Sequence, residues 1–317
     1  MAVKTQYAFG VDVGGTTIKI GLYDVKKEDF IDKWEIPTRT QDNGRYILPD
    51  IAQALRDKLT EAGAELSQVK GVGIGVPGPA LENGVVNMAV NLHWGVVDVA
   101  KNLSELLDGL PVKVANDANV AALGEQWKGG GEGYQNLVMV TLGTGVGGGV
   151  ILNGRILAGS NGAAGEIGHI KVSDTETDVC NCGKTGCLEQ YTSANGVVRM
   201  TRKALAKNRR KTVLYDDETL NSKVIFDAIK DGDEFALSVG EDFGRYLGEA
   251  IAIINMVVDP EVVVIGGGMS RAGQVVVDLV QKYYTPAAFH ATRNVVFKLA
   301  ELGNTAGMYG AVRMVLQ

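Results

Sequence analysis

YAFGVDVGGTTIKIGLY, residues 7–23, reads as a strand, a glycine-rich tip and a second strand, with apolar residues flanking GGTT on both sides. The pattern returns in LVMVTLGTGVGGGVILNG, residues 137–154, where 142–149 lies over 12–19 in the placement of apolar and glycine positions. Gene duplication is the simplest account of the echo, and it implies two similar lobes. Each tip would carry several backbone N–H groups at the end of a buried hairpin.

Outward from the first hairpin the chain continues as an α/β layer. A third strand is expected near 34–37, an amphipathic helix over 47–62 and a strand from Gly71 in GVGIGVPG. PVKVAND forms a further strand that ends at Asp117. The helix ANVAALGEQWKGG follows it and is stopped by three glycines. Beyond the second hairpin, two helical stretches occupy 222–258. DPEVVVIGGGMS then supplies a buried strand, a glycine turn and the start of a helix at RAGQVVVDLV. NVVFKLAEL is the last strand, and a closing helix over 306–316 is expected to pack back on the N-terminal lobe. The expected division is a smaller α/β lobe of 1–116 plus 300–317 and a larger α/β lobe of 117–299.

A chain of 317 residues suits two medium domains, and 45% hydrophobic with 21% charged residues leaves ample material for a core. Its 42 glycines cluster in short runs, as turns around ligands do, instead of spreading through a linker. A net charge of −6 gives no global attraction to nucleic acid or to an anionic membrane, so neither is expected as a partner. No apolar run is long enough to span a bilayer and the N-terminus has no signal-peptide core, so a cytoplasmic protein is expected. All three cysteines, Cys180, Cys182 and Cys187, lie within CNCGKTGC, too crowded and too few for a disulfide framework.

Three thiolates in so short a stretch can converge on one tetrahedral ion. His169 in GEIGH lies close enough upstream to complete a Cys3His zinc site, with Gly183 and Gly186 allowing the turns. The competing reading makes the cysteines small buried hydrophobes. Glu166 and Glu189 flank these elements, so closing the site would draw two carboxylates together, an arrangement suited to vicinal hydroxyls; otherwise they are solvated.

No GxxxxGK[ST] pattern is present, which excludes a P-loop. LGTGVGGG contains a formal GxGxxG, but VILNGRIL continues it as strand, where a dinucleotide fold needs a helix. As a hairpin tip, Gly143, Thr144 and Gly145 offer backbone N–H groups to a phosphate, and Gly14, Gly15, Thr16, Thr17 and Lys19 repeat the design. Either tip alone is equally an ordinary tight turn. Asp12, inside an apolar strand, suits Mg²⁺ beside a phosphate turn, or it initiates the turn. Gly267 and Gly268 in IGGGMS could sit against an adenosine. Asp117 could take a proton from a sugar hydroxyl at the strand's carboxyl end, while Asn116 or Asp117 could equally cap the helix. Arg199, Arg202, Lys203, Lys207, Arg209, Arg210 and Lys211 form a basic stretch that reads as a solvated helix face.

These motifs resemble the ROK family of sugar kinases and repressors, specifically its bacterial glucokinases, over the whole chain. The resemblance runs through DVGGTTIK at 12–19, GVPGP at 75–79, NDAN at 116–119, LGTGVGGG at 142–149, GEIGH at 165–169, CNCGKTGCLE at 180–189 and IGGGMS at 265–270. It implies a two-lobed, actin-like (ribonuclease H-like) ATPase fold with a zinc-binding loop, and ATP-dependent phosphorylation of glucose at its 6-hydroxyl, the first step of intracellular glucose use. By the same resemblance Asp117 is the general base, and Asn116, Glu166, His169 and Glu189 bind sugar hydroxyls beside the turn at Gly78. Asp12, Thr16 and Thr144 match the Mg²⁺ and phosphate region, and His169, Cys180, Cys182 and Cys187 the zinc ligands. A homodimer or dimer of dimers is also implied. His93 in NLHWG stands where the family commonly carries glycine. Kinases for fructose, N-acetylmannosamine, allose or mannose share the pattern. So do sugar-responsive regulators, for which the strand beginning by Tyr7 leaves no room for a preceding helix-turn-helix.

Overall fold

The computed structural model describes residues 6–207, 212–214 and 219–317. In chain order its elements are β1 (Tyr7–Val13), β2 (Thr17–Asp24), β3 (Asp29–Pro37), the single turn α1 (Gln41–Gly44), α2 (Ile47–Glu61), β4 (Val69–Val76), β5 (Val85–Ala89), β6 (Trp94–Asp98), α3 (Val99–Leu106), β7 (Val112–Asn116) and α4 (Asp117–Lys128). They continue as β8 (Leu137–Leu142), β9 (Val146–Leu152), β10 (Arg155–Ile156), α5 (Glu189–Thr192), α6 (Ala194–Lys207), α7 (Ser222–Lys230), α8 (Glu234–Val258), β11 (Val262–Gly266), α9 (Gln274–Ala287), β12 (Val296–Leu299) and α10 (Ala306–Leu316). The chain forms two compact units. One comprises Met1–Gly133, Gly149–Gly165 and Asn304–Gln317, the other Tyr134–Gly148 and Glu166–Gly303.

In the first unit a five-stranded sheet runs in the order β3-β2-β1-β4-β7. β1 is antiparallel to β2, with Asp12 opposite Lys19, and parallel to β4, with Asp12 opposite Gly75. β4 is parallel to β7 and sets Val76 beside Asn116. One face of the sheet is a buried apolar layer of Phe9, Val11, Ile18, Ile20, Val72 and Ile74, covered by Ile47, Ile51 and Leu55 of α2 and by Leu103 of α3. The spacing 47, 51, 55 is one stripe of an amphipathic helix.

On the opposite face, beside a small cluster of Ala8, Tyr23 and Val312, backbone meets backbone at several glycines. A Cβ at Gly10 or Gly73 would overlap the carbonyl oxygens of Met308 and Ala311 in α10, and one at Gly310 would overlap that of Val120 in α4. A Cβ at Gly124 would strike Ala306 in turn. Glycine is required at these crossings because nothing larger lets a helix backbone lie against a strand or a second helix so closely. α10 therefore packs back within the N-terminal unit, as the sequence suggested. The same contacts move the expected boundary: α4 belongs to the first unit with residues 149–165, not to a second domain beginning at 117.

In the second unit β8, β11 and β12 run parallel, with Val263 beside Val138 and Phe297, and Gly266 beside Thr141. The 25-residue α8 lies on α9, where Gly248 packs against the Val280 carbonyl at 2.5 Å from an added Cβ, and Asn255 donates from Nδ2 to the buried Tyr284 hydroxyl at 3.0 Å. Among the described residues no helix is long and apolar enough to cross a membrane.

Several details depart from the sequence reading. β3 begins at Asp29, well before Trp34, because it is an edge strand whose Asp29, Asp32 and Lys33 face solvent and hide the alternation. The antiparallel β5–β6 hairpin and α3 had no clear signature. His93 sits between β5 and β6 in the left-handed region at φ 57°, which explains why glycine suits that position. A 3-10 segment, Gly268–Ala272, precedes α9, which starts at Gln274 because Gly273, at φ 85°, breaks the helix expected from Arg271.

Replacing Gly310 by Ala should destabilise the protein by about 3 kcal/mol through overpacking of α10 on α4. Gly95→Ala, a position with open space around it and no left-handed backbone, should change stability by less than about 0.5 kcal/mol. Urea unfolding of the two variants, compared with wild type, reads both; equal midpoints would show that the close crossing carries no weight.

Candidate active site

In the first unit the sequence-predicted residues gather at the carboxyl ends of β1, β4 and β7. Asp12 is the penultimate residue of β1 and partly buried; burial raises its carboxyl pKa, and Lys19 across the ladder opposes that rise. Its Cγ lies 2.7 Å from where a Cβ on Gly307 would stand, so the first turn of α10 closes against the carboxylate only because residue 307 is glycine. The turn of Gly14, Gly15 and Thr16 is exposed and tied from below: Gly14 N–H donates to the Thr17 carbonyl at 2.9 Å. Thr38, which the sequence reading passed over, donates its hydroxyl to the Gly14 carbonyl at 2.7 Å and its N–H to the Thr16 carbonyl at 2.9 Å. No motif marks Thr38, since it sits at the end of an edge strand.

Asn116 ends β7 and caps α4, its Oδ1 accepting from Ala118 N–H at 3.0 Å and Asn119 N–H at 3.2 Å. Its Nδ2 donates to the Gly78 carbonyl at 3.3 Å. Gly78 turns at φ 124° with the Met88 carbonyl close behind it, a conformation that favours glycine. Asp117, the first residue of α4, accepts from Ala118 N–H at 2.8 Å. The capping role thus falls mainly to Asn116, and the positive end of the α4 dipole favours charge on the neighbouring carboxylate. Gly78, Asn116 and Asp117 are brought together.

In the second unit Gly143, Thr144 and Gly145 form the β8–β9 turn, closed by Gly143 N–H to the Gly145 carbonyl at 3.0 Å, with Thr144 exposed. Ala194 N–H, at the start of α6, donates to the Gly143 carbonyl at 2.8 Å. Gly145 lies beneath the Glu189 carboxylate, whose Oε2 would be 2.8 Å from a Cβ there. Gly267, at φ 84°, packs so closely on Leu142 that an added Cβ would stand 2.5 Å from the Leu142 carbonyl oxygen. Gly268 lines a cavity of about 370 Å³ with Lys223, Phe226 and Lys230 of α7 and with Met269 and Arg271. The α7 residues lie some 40 positions upstream of the glycines, so nothing local in the sequence pairs them.

The four soft donors converge. His169 Nδ1 and the sulfurs of Cys180, Cys182 and Cys187 all lie within 4.8 Å of one another, with Cys182 Sγ 3.5 Å from Cys187 Sγ and Cys180 Sγ 3.7 Å from His169 Nδ1. A tetrahedron of sulfur ligands about 2.3 Å from zinc has edges near ~3.8 Å, so the donor set fits that ion. Locally the knuckle is made by Cys180 N–H donating to the Lys184 carbonyl at 2.7 Å and by Gly183 and Gly186 at φ 83° and 76°. The Lys184 N–H beside Cys182 lowers that thiol's pKa, while burial raises those of Cys180 and Cys187. Glu189 Oε1 accepts from the Cys180 thiol at 2.9 Å and stands 3.7 Å from His169 Nδ1. Glu166 is exposed, and its carbonyl accepts from His169 N–H at 3.2 Å.

One expectation changes. Arg199 is largely withdrawn and ion-paired to Glu176 and Asp178 of the cysteine loop, and Lys203 reaches the same acids from the surface, while Arg202 and Lys207 are exposed as expected. Arg209, Arg210 and Lys211 lie outside the described residues.

The sequence model of the ROK family matches residues 8–317. The chain is 43% identical over 320 residues to a glucokinase of Halalkalibacterium halodurans, covering 99% of this chain and 96% of that one. Its structure resembles a ROK family glucokinase from Streptomyces griseus in complex with glucose and AMPPNP (TM-score 0.74, 30% identity, 97% of this chain and 98% of that chain). It also resembles a ROK hexokinase from Thermus thermophilus (TM-score 0.76, 30% identity, 97% of each chain). With near-complete coverage in sequence and fold, and with an α/β actin-like ATPase architecture in common, the chain belongs to the ROK family.

Proposed function

We propose that this protein is an ATP-dependent glucokinase that transfers the γ-phosphoryl group of ATP to the 6-hydroxyl of glucose. The observation that carries the reading is the grouping of Asp117, Asn116 and the Gly78 carbonyl at the end of β7, with the Asp117 carboxylate at the first residue of α4. The likeness to glucokinases supports glucose over other hexoses. Cytoplasmic placement and homodimeric assembly go with the same reading.

In this mechanism Asp117 accepts the proton of the glucose 6-hydroxyl as that oxygen attacks the γ-phosphorus. The new O6–P bond forms while the bond from the γ-phosphorus to the bridging oxygen breaks, leaving ADP. Asn116, Glu166, His169 and Glu189 hold the other sugar hydroxyls, and the glycine-bearing turns at 14–17 and 143–145 hold phosphate oxygens through their N–H groups. Asp12 would hold Mg²⁺, which neutralises phosphate charge when bound. Burial disfavours the charged form of Asp12, a cost that a bound cation would offset. His169, Cys180, Cys182 and Cys187 would hold zinc in a closed, structural site that keeps Glu189 in place.

Asp117→Asn should lower kcat by about 10³-fold, the usual scale of a lost general base, with glucose affinity nearly unchanged. A coupled ADP-release assay and calorimetric glucose titration measure the two quantities, and wild-type turnover in the variant refutes the assignment. Cys182→Ser should reduce zinc from one ion per chain to none, read by mass spectrometry, and weaken glucose binding by about tenfold or more. Full glucose affinity in the zinc-free variant would separate the metal from the sugar. A panel of hexoses with ATP should give glucose the highest kcat/KM, and a different best substrate would reassign specificity.

A further inference from the structure

We propose that Arg199 is a positioning residue for Glu189, a second tether, independent of the cysteine and histidine donors, that fixes the backbone next to the sugar-binding carboxylate. The inference rests on the proposed role of Glu189. α5 is only four residues long, too short to hold its own conformation, so whatever fixes the backbone at 187–192 must come from outside it. On one side stands Cys187, two residues before Glu189. On the other is Gln190, the next residue, and it is held at both its main chain and its side chain.

The Gln190 carbonyl accepts two bonds from the Arg199 guanidinium, from Nε at 3.1 Å and from Nη2 at 2.7 Å. The remaining arm, Nη1, reaches Glu176 Oε2 at 2.6 Å and Asp178 Oδ2 at 2.8 Å. Gln190 in turn donates from Nε2 to the Asp178 carbonyl at 2.8 Å and accepts Cys187 N–H at 3.0 Å. One planar group thus spans the arm of the loop before Cys180 and the backbone immediately after Glu189.

Glu176 anchors the bracket. Its side chain is 5% exposed, and so withdrawn a carboxylate is tolerated only when fully paired. Besides Arg199 it accepts from the Tyr191 hydroxyl at 3.0 Å, from Lys203 at 3.1 Å and from the N–H groups of Thr177 and Asp178 at 3.0 Å. Arg199 also lies over the Tyr191 ring, 5.2 Å from its centroid. Lysine cannot reproduce this geometry, because a single ammonium cannot serve Glu176 and the Gln190 carbonyl as the guanidinium fork does. Lys203 touches the same acids but not Gln190, which makes it the natural control.

The test compares Arg199→Lys and Lys203→Met with wild type in the full-length protein. Arg199→Lys should raise the glucose KM by about tenfold, the scale at which outer-shell partners act, with kcat and the KM for ATP within about threefold and one zinc per chain retained. Amide hydrogen exchange at 190–192 should quicken by about tenfold or more, and Lys203→Met should leave the glucose KM and this exchange near wild type. Unchanged exchange at 190–192 in Arg199→Lys overturns the tether. Loss of zinc together with sugar affinity, or an equal KM rise in Lys203→Met, assigns Arg199 to general loop integrity and overturns the positioning role. If wild type phosphorylates no hexose, the kinase assignment falls, and the exchange measurement still decides whether the tether exists.

Discussion

The convergence of one imidazole nitrogen and three sulfurs is the constraint on which the second unit's chemistry depends. His169 comes from a short 3-10 turn, and the cysteines from a knuckle made by two left-handed glycines. A short backbone ladder joins these segments, with Leu188 N–H donating to the Ile170 carbonyl and Val172 N–H to the Gly186 carbonyl, each at 2.8 Å, and it brings the four donors together. Glu189 then follows with little freedom: it is two residues past Cys187, against the Cys180 thiol and above Gly145. Thiolates and imidazole that share a metal would stiffen this arrangement well beyond what hydrogen bonds through sulfur provide.

A different constraint governs the first unit. There the ends of β1, β4 and β7 are held in place because α10 lies directly on strand backbone, and glycines at 10, 73, 124 and 310 permit it. The cost of ordering glycine is offset by close helix–sheet and helix–helix packing. Asp12, Gly78, Asn116 and Asp117 gain their positions from that rigid layer, and Gly307 lets the last helix approach Asp12. These candidate site residues sit on strand ends and helix caps or beside them, which are more exact supports than free loops.

Much of this was legible in the chain itself. The closing helix at 306–316 and the strands around both glycine tips carry a strong period, and the structure has them at or near the expected bounds. The histidine and cysteine donor set was legible because its members are rare residue types crowded together, and the structure has them converging. β3 was read too short, since an exposed edge mixes charge into the alternation, and α3 with the β5–β6 hairpin went unread because short elements give weak periodicity. Within the basic stretch Arg199 was misread for a related reason: it looks solvated until its acidic partners, some 20 positions upstream, fold onto it.

By itself, then, the sequence determined the α/β character, the paired glycine tips, the cysteine and histidine ligand set and the aspartate at the end of β7, because each of these is written in local period or local residue type. Only the tertiary structure decided that α4 joins the first unit, that Thr38 braces the first tip, that α7 lines the cavity at Gly268 and that Arg199 grips the backbone behind Glu189. Those are contacts between residues distant in the chain, and they exist only once burial of the apolar faces has brought the segments together.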